Sequence, residues 1–475
     1  MPINVQANVQ AALARIAPLT ERLVAAFGAR GHSLFLVGGP VRDAVLGLTS
    51  TDLDFTTSAR PDDIEAVLRG LGGPIWDMGR QFGTLGTVLD DWQVEITTFR
   101  ADAYAADSRK PAVRFGDSVE EDLRRRDFTI NAMAVDLASR RFVDPHGGLA
   151  DLAARRLATP AAATTSFSDD PLRMLRAARF AARLQFRPTP DVVSAMMAMA
   201  DRLDIVSAER IRDEFTKLLL SDRPRVGLDL AVRTGLTDRF LPELPALRLE
   251  IDEHHRHKDV YEHSLTVLDQ TIALERARHH DPDLVARLAA LLHDIGKPKT
   301  RRYEAQGKVS FHHHDVVGAK LARARLTALR FPVEVVQAVA RLIELHLRFH
   351  GYGDGEWTDA AVRRYVRDAG PELERLHMLT RSDCTTRNQA KAAKLRLAYE
   401  ELEWRIDELA QQEELHAIRP DLDGHQIMAV LDLAPGPAVG RAYQFLLDLR
   451  LDSGPLGEAE ATRRLRAWWA EQSEG

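Results

Sequence analysis

The chain has 475 residues, 45% hydrophobic and 28% charged, with a formal net charge of -6 and one cysteine, Cys384. That length carries several cores, so three or more domains are expected, and the composition excludes wholesale disorder. A lone cysteine excludes an intrachain disulfide and points to a reducing cytoplasm; no apolar run reaches a membrane span, and no signal-peptide pattern opens the chain. The acidic balance does not advertise a nucleic-acid binder. Basic residues nevertheless cluster at Arg124, Arg125 and Arg126, at Arg173, Arg176, Arg179 and Arg183, and at Arg463, Arg464 and Arg466. A local stripe is enough to track phosphates.

Residues 1–30 space Leu13, Ile16, Leu19, Leu23 and Phe27 along one side of a helix, which would pack behind the first domain. The run Leu34–Val37 ends in Gly38-Gly39, so a buried strand is expected to enter a tight turn, and Pro40 suits the first position of a helix. Such a turn turns backbone N–H groups toward an anion such as a triphosphate, although an ordinary strand-turn-helix connection reads the same way. Asp52-Leu53-Asp54-Phe55 says more. On a strand the two carboxylates share one face and the apolar pair the other. Like charges side by side repel, so a fold keeps them where cations compensate, and a pair of Mg²⁺ ions held this way suits nucleotidyl transfer. The plainer alternative is a solvated turn.

A helix over 62–71 follows Pro61 and closes at Gly72-Gly73, and strands at 85–89 and 93–99 join through Asp90-Asp91. In the second strand Glu95 points away from Val94 and Ile96. It completes a three-carboxylate site if this strand neighbours Asp52 and Asp54, and otherwise faces solvent on an edge strand. EDLRRRDFTINAMA, residues 121–134, reads as helical, which brings some of Arg125, Arg126, Asp127 and Asn131 onto one face. The arginines suit triphosphate oxygens, and Asp or Asn suits ribose hydroxyls; the alternative is a salt-bridged surface helix. DPHGGLADL, residues 144–152, is a turn-rich break and the first domain boundary. Beyond it strand signals stop. In SDDPLRMLR, residues 168–176, Asp170 before Pro171 suits a helix cap. Arg173, Arg176 and Arg179 recur every third position as a basic face. Asp170 and Arg173, one turn apart, can instead offer an acceptor and a fork of donors to a base edge. Residues 207–220 form an amphipathic helix with no chemistry of its own.

Twelve of the 17 histidines lie between His254 and His350. Single histidines are usually structural. Here His293-Asp294 follows the apolar run 289–292, with His263, His312, His313, His314, His346, His350 and Asp383 at a distance, a mixture that suits a divalent metal. The last stretch, from about 391, reads as helical, and Trp468-Trp469 is expected to pack a terminal helix.

GGPVRD followed by DLDF resembles the nucleotidyltransferase superfamily of CCA-adding enzymes and bacterial poly(A) polymerases. RRDFTINAMA is similar to the class II motif of that family, at every specified position. DPHGGLADL resembles its flexible element between head and neck, and DDPLR its EDxxR motif, with Asp169 in place of Glu. The histidine pattern looks like an HD phosphohydrolase domain, mapping onto His263, His293, Asp294 and Asp383, with His314 and His346 as further ligands and His313 a rival to His314. The resemblance covers residues 30–395 with the motifs in family order. It implies an α+β protein: a small mixed-sheet nucleotidyltransferase head (1–150), an all-helical neck and body (151–250), a helical HD domain (251–395) and a helical tail (396–475).

The implied function is template-independent addition of CCA to the 3′ end of tRNA from CTP and ATP. Asp52 and Asp54, with Glu95, would be catalytic and hold Mg²⁺. Gly38, Gly39, Arg42, Arg125 and Arg126 would meet the triphosphate, Asp127 and Asn131 the sugar, and Asp170, Arg173 and Arg176 the base end of the site. A divalent transition metal is expected in the HD site. A poly(A) polymerase, a C-only or A-only enzyme, and an HD phosphohydrolase with an RNA-binding head are the alternatives.

Overall fold

The N-terminal apolar spacing forms two helices rather than one. In the computed structural model α1 (Val5–Arg15) and α2 (Ala17–Gly28) divide at Ile16, because Pro18 has no N–H with which to continue the ladder. Leu13, Ile16, Leu19, Leu23 and Phe27 are all buried, as expected. The described residues are 4–77, 79–100, 114–248, 259–303, 309–351, 357–385, 389–413 and 418–473. They fall into two compact units, Met1–Pro242 and Glu243–Gly475. The boundary expected near 250, and His254, His255 and His257, lie outside the described residues.

The first unit continues with β1 (Leu34–Val37), α3 (Gly39–Leu46), β2 (Asp52–Thr57), α4 (Pro61–Leu71), β3 (Ile75–Trp76), β4 (Thr84–Leu89), β5 (Trp92–Thr98), α5 (Val119–Arg124), β6 (Ala134–Asp136) and β7 (Phe142–Val143). These strands make one mixed sheet in the order β3-β4-β5-β2-β1-β6-β7, in which β2 and β5 run parallel and the other pairs antiparallel. Between β4 and β5, Asp90 and Asp91 both have positive φ (50° and 65°), a conformation that short polar side chains tolerate in tight hairpins. Phe35 and Val37 of β1 pack with Phe99, Val119 and Leu123, which seats α5 beside the central strands.

Residues 121–134 are not one helix. The α5 helix ends at Arg124, and a single 3₁₀ turn follows at Thr129–Asn131. Asp127 Oδ1 accepts from the Phe128 N–H at 2.8 Å, so the side chain takes an amide that a continuing helix would have used. The expected break at 144–152 is a pinned junction. Asp144 accepts from the N–H groups of Gly148 (2.7 Å) and Leu149 (3.0 Å), and a Cβ on Gly148 would lie 2.4 Å from the Thr129 carbonyl. Only a glycine allows that approach.

Helices then dominate: α6 (Gly148–Ala154), α7 (Ala163–Asp169), α8 (Leu172–Leu184), α9 (Pro190–Ala198), α10 (Ala208–Leu219), α11 (Pro224–Arg233) and α12 (Thr237–Phe240). One two-residue parallel ladder, β8 (Arg156–Leu157) with β9 (Arg187–Pro188), departs from the all-helical expectation. The ladder is too short to leave an alternation in the sequence.

The second unit comprises α13 (Val260–Ala277), α14 (Leu284–Leu292), α15 (Lys297–Thr300), the short ladder of β10 (Arg302–Tyr303) with β11 (Val309–Ser310), then α16 (His314–Ala328), α17 (Val333–Leu345), α18 (Asp359–Ala369), α19 (Leu373–Asp383), α20 (Gln389–Gln412), α21 (Gly424–Leu431), α22 (Pro437–Ser453) and α23 (Glu458–Ser473). Residues 285–292 of α14 are buried throughout, which explains the unbroken apolar run: this helix is enclosed rather than amphipathic. The last three helices share their own core of Leu422, Ile427, Ala442, Leu446, Ala461 and Leu465. Trp468 stacks on Phe445 at 4.6 Å and packs the terminal helix as expected. Among the described residues no helix is long and apolar enough to cross a membrane.

Candidate active site and metal centre

The parallel register of β2 and β5 places Asp54 opposite Glu95 and Asp52 opposite Gln93. Leu53, Phe55, Val94 and Ile96 all turn to the other side and are buried. Because β5 lies between β4 and β2, it is an interior strand, and the edge-strand reading of Glu95 does not hold. Burial pushes Asp54 above the usual carboxylate range, Arg126 opposes the rise and Asp52 adds to it. Glu95 is raised by burial, then by Asp54 and Asp52. Asp52, Asp54 and Glu95 share one sheet face, and oxygen donors of this kind suit hard cations such as Mg²⁺, although their ligand atoms are not drawn together as tightly as those of the second unit.

Gly38 turns β1 into α3 with φ +73°, a value that favours glycine. A Cβ there would stand 3.0 Å from Arg126 Nη1 and 3.6 Å from Asp54 Oδ2. The turn, the acids and the arginine pair therefore converge. Asp54, Glu95, Thr84, Thr97, Arg125 and Arg126 are among the residues lining a cavity of about 230 Å³.

Other expected ligands sit deeper. Arg42 is only 4% exposed; its Nε donates to Asp43 (2.8 Å) and its Nη1 to Asn131 (2.8 Å). Asn131 donates to Asp127 at 3.0 Å, and Arg176 grips the other Asp127 oxygen through Nε and Nη2 at 2.8 and 2.5 Å. Arg176 also lies 3.6 Å from Glu214, which binds Arg179 at 2.6 Å. Arg42, Asn131, Asp127, Arg176, Glu214 and Arg179 thus form one alternating network from α3 to α10. The basic face expected from Arg173, Arg176 and Arg179 is turned into the protein. Arg173 and Arg179 are buried and all three are bonded internally, because this side of α8 turns inward. Sequence reading missed Glu214; a lone acid on the apolar side of 207–220 was the available signal.

The N-cap of α8 is Pro171 rather than Asp170; Asp170 lies one residue earlier, its Oδ1 accepts from Leu172 N–H at 3.2 Å, and Arg210, also missed, reaches its Oδ2 at 2.9 Å. Arg173 donates to Ser166 Oγ (2.9 Å) and to the Arg125 carbonyl (2.6 Å). Arg173 therefore joins α7 and α8 to the backbone of Arg125, one of the arginine pair of the cavity. Despite complete burial, Arg176 and Asn131 hold Asp127 well below the usual carboxylate range. A depressed folded value means this stabilisation is present above the unfolded pKa, near 4, and is lost as pH falls toward the folded value. Asp127→Ala is expected to cost about 2–3 kcal/mol, discounted for the partial exposure of Arg176, and to flatten that acid limb; urea midpoints of both proteins at pH 7 and pH 3 measure it.

In the second unit six side chains from five places in the chain meet. His263 Nε2 lies 2.8 Å from Asp383 Oδ1 and 3.3 Å from His293 Nε2. His314 Nε2 lies 3.3 Å from Asp294 Oδ1. His263, His293 and Asp383 form one group of three candidate ligands, and Asp294, His314 and His346 another, with the donor atoms of each group within 4.8 Å of one another. The Nδ1 atoms of His293, His314 and His346 face the carbonyls of Ala290, Phe311 and Ile343 at 2.9, 2.8 and 2.6 Å, which directs each Nε2 inward. His346 Nε2 is buried without a hydrogen-bond partner. Burial works against charging His293, but Asp294 and Asp383 outweigh it and raise it to about 10; burial and His293 push His346 down to about 4. Carboxylates that draw in a proton so strongly fit a cation, and the nitrogen-oxygen donor set fits a divalent transition metal. The rivalry between His313 and His314 resolves to His314: His313 is exposed, with φ 63°, one residue before α16 begins. The side chain of His350 lies outside the described residues.

Family comparison agrees with this geometry. Residues 34–158 match the poly A polymerase head domain, 185–247 the probable RNA and SrmB-binding site of polymerase A, and 260–388 the HD domain. An A-adding tRNA nucleotidyltransferase of Deinococcus radiodurans is 34% identical over 93% of this chain and 96% of its own. The CC-adding tRNA nucleotidyltransferase of Thermus thermophilus is 33% identical over 92% and 93%. The chain belongs to the tRNA nucleotidyltransferase family. A tRNA nucleotidyltransferase fold is likewise seen in the Bacillus stearothermophilus CCA-adding enzyme solved with CTP, at TM-score 0.66 and 23% identity, covering 97% of this chain and 98% of that one. In this tRNA nucleotidyltransferase, Asp54, Glu95 and Arg126 line one cavity, with Asp52 on the same strand as Asp54 and Gly38 beside Arg126. Arg42, Asn131, Asp127 and Arg176 form a connected network, and the six HD residues form a second centre.

Proposed function

We propose that this enzyme adds CMP and AMP from CTP and ATP to the 3′ end of tRNA, completing CCA in the cytoplasm. The observation that carries the reading is the Asp54–Glu95 register beside the Gly38 turn and Arg126, which sets acids for cations against donors for a polyphosphate. The tRNA 3′-hydroxyl attacks the α-phosphate in line and pyrophosphate leaves. Asp52 and Asp54, with Glu95 beside them, would hold Mg²⁺, which would supply neutralisation of the negative charge that builds up during transfer. The N–H groups of Gly38 and Gly39 with Arg125 and Arg126 face the triphosphate, and Asp127 with Asn131 shapes the sugar side. Asp170 accepts from the exocyclic amine that cytosine and adenine share, and Arg173 donates to the adjacent ring nitrogen. Uracil and guanine present the opposite polarity there.

Work divides along the chain as chemistry in 1–150, base selection and RNA support in 151–250, phosphoester hydrolysis at a divalent transition metal in 251–395, and a helical tail in 396–475. A poly(A) polymerase is disfavoured by the tRNA-specific names of the full-length relatives. Those relatives also motivate one second reading, because each carries out only part of CCA synthesis by name. A tRNA lacking CCA, incubated with CTP, ATP or both and sized at single-nucleotide resolution, separates these readings. The expected result is two residues from CTP alone and one more, then arrest, with ATP. Arrest after two residues with both nucleotides, or extension only of tRNA ending in CC, selects a partial adder; long tails from ATP alone select the polymerase.

A further inference from the structure

Two arginines of the acidic cavity hang on one carboxylate. Asp122 of α5 has no exposed surface. Its Oδ1 accepts from Arg125 Nε at 3.1 Å and Nη2 at 2.7 Å, and its Oδ2 from Arg126 Nη2 at 3.1 Å. The backbone N–H of Arg100 adds a contact at 3.3 Å. Arg125 and Arg126 both line the cavity with Asp54 and Glu95, and Arg126 Nη1 points at Gly38. One buried acid thus holds two guanidiniums that line the cavity.

We infer that Asp122 is a positioning residue for the incoming nucleotide, holding Arg125 and Arg126 in register with the Gly38-Gly39 turn so that both meet the triphosphate. The inference rests on the reading of this cavity as the nucleotide site. Anchoring matters because a loose arginine must freeze several rotatable bonds when it binds a phosphate, and a tethered one has frozen them already. Complete burial works to raise Asp122, but the two guanidiniums outweigh it and keep the carboxyl below its ordinary range, so the tether stays ionised. The same anchor reaches the base-reading end. Arg173 donates to the backbone carbonyl of Arg125 at 2.6 Å, so a shift of Arg125 moves both.

The test is steady-state kinetics of the full chain on tRNA lacking CCA. Asp122→Asn keeps the shape but turns one acceptor into a donor aimed at a guanidinium. KM for CTP and ATP is expected to rise about tenfold or more, with KM for tRNA near wild type and an unchanged circular dichroism spectrum. Combined with Arg126→Ala, the effects should fall short of additive, because both changes disable one unit. Unchanged nucleotide KM in folded Asp122→Asn overturns the inference, as does equal worsening for nucleotide and tRNA, which marks a residue of the fold. If Asp122→Asn does not fold, Asp122→Glu, which keeps the charge and displaces it, decides on the same criterion. Arg126→Ala alone separates the two levels. A normal nucleotide KM there removes the cavity as the triphosphate site. A raised KM there beside a normal one in Asp122→Asn overturns only the role of Asp122.

Discussion

Asp54→Asn and Asp52→Asn should each lower nucleotide addition about a thousandfold or more, while tRNA binding and the fold persist. The loss is large because the oxygens that would hold Mg²⁺ act on charge that develops only in the transition state. RNA affinity rests on phosphate contacts made elsewhere, so a filter-binding constant should move little. The same substitution should have the opposite effect on stability. Burial raises Asp54 above its ordinary range, with Arg126 opposing and Asp52 adding to the rise, so folding disfavours its charged form relative to the unfolded chain. For such a group stability is fullest below the unfolded pKa, near 4, and is lost as pH rises through the folded value. In EDTA, Asp54→Asn should therefore melt above wild type at pH 7, and the gap should be smaller below pH 4. Glu95→Gln, one strand away, should cost activity about ten- to a hundredfold. Full turnover by either aspartate variant, or a lower melting temperature for Asp54→Asn at pH 7 in EDTA, would remove this site from the mechanism.

Those acids were legible because a strand repeats every two residues: Asp52 and Asp54 had to share a face, whatever lay beside them. Glu95 was legible only conditionally. Its meaning depended on which strand neighbours β2, and that choice is made by a parallel pairing of β2 (52–57) with β5 (92–98), two strands apart in the chain. The arginines of α8 misled for a related reason. Spacing by three describes a solvated basic stripe and an inward ion-pair row equally well, and the partners that decide, Asp127 and Glu214, lie tens of residues away. Asp122 stood three and four residues before Arg125 and Arg126, a spacing that pairs charges on one helix face, so a local signal for it existed. His314 could not be told from His313 by composition; the left-handed residue that starts α16 turns one outward and the other inward.

The two metal sites should also be separable by mutation. Asp52, Asp54 and Glu95 offer oxygen donors, whereas His263, His293, His314 and His346 add four nitrogens to Asp294 and Asp383, so the two sites are expected to prefer different cations. A divalent transition metal held there would supply Lewis acidity for phosphoester hydrolysis. Around it Asp294 is held by His314 on one oxygen and by Lys297, at 2.9 Å, on the other, which leaves it oriented and ionised. Wild type with Mn²⁺, Co²⁺ or Ni²⁺ is thus expected to hydrolyse small phosphoesters such as 2′,3′-cyclic nucleotides. His293→Ala with Asp294→Ala should lose that hydrolysis and the bound transition metal, yet retain nucleotide addition. Asp52→Ala should do the reverse. Each centre draws its ligands from within one compact unit, so neither needs the other to assemble. A folded HD double variant that cannot extend tRNA would show the sites to be coupled and the division of labour wrong. Wild type that neither binds these metals nor hydrolyses any ester would make the histidine cluster a structural one. Metal content by mass spectrometry, read beside both activities for all three proteins, distinguishes these outcomes, because a lost cation and a lost fold leave different traces.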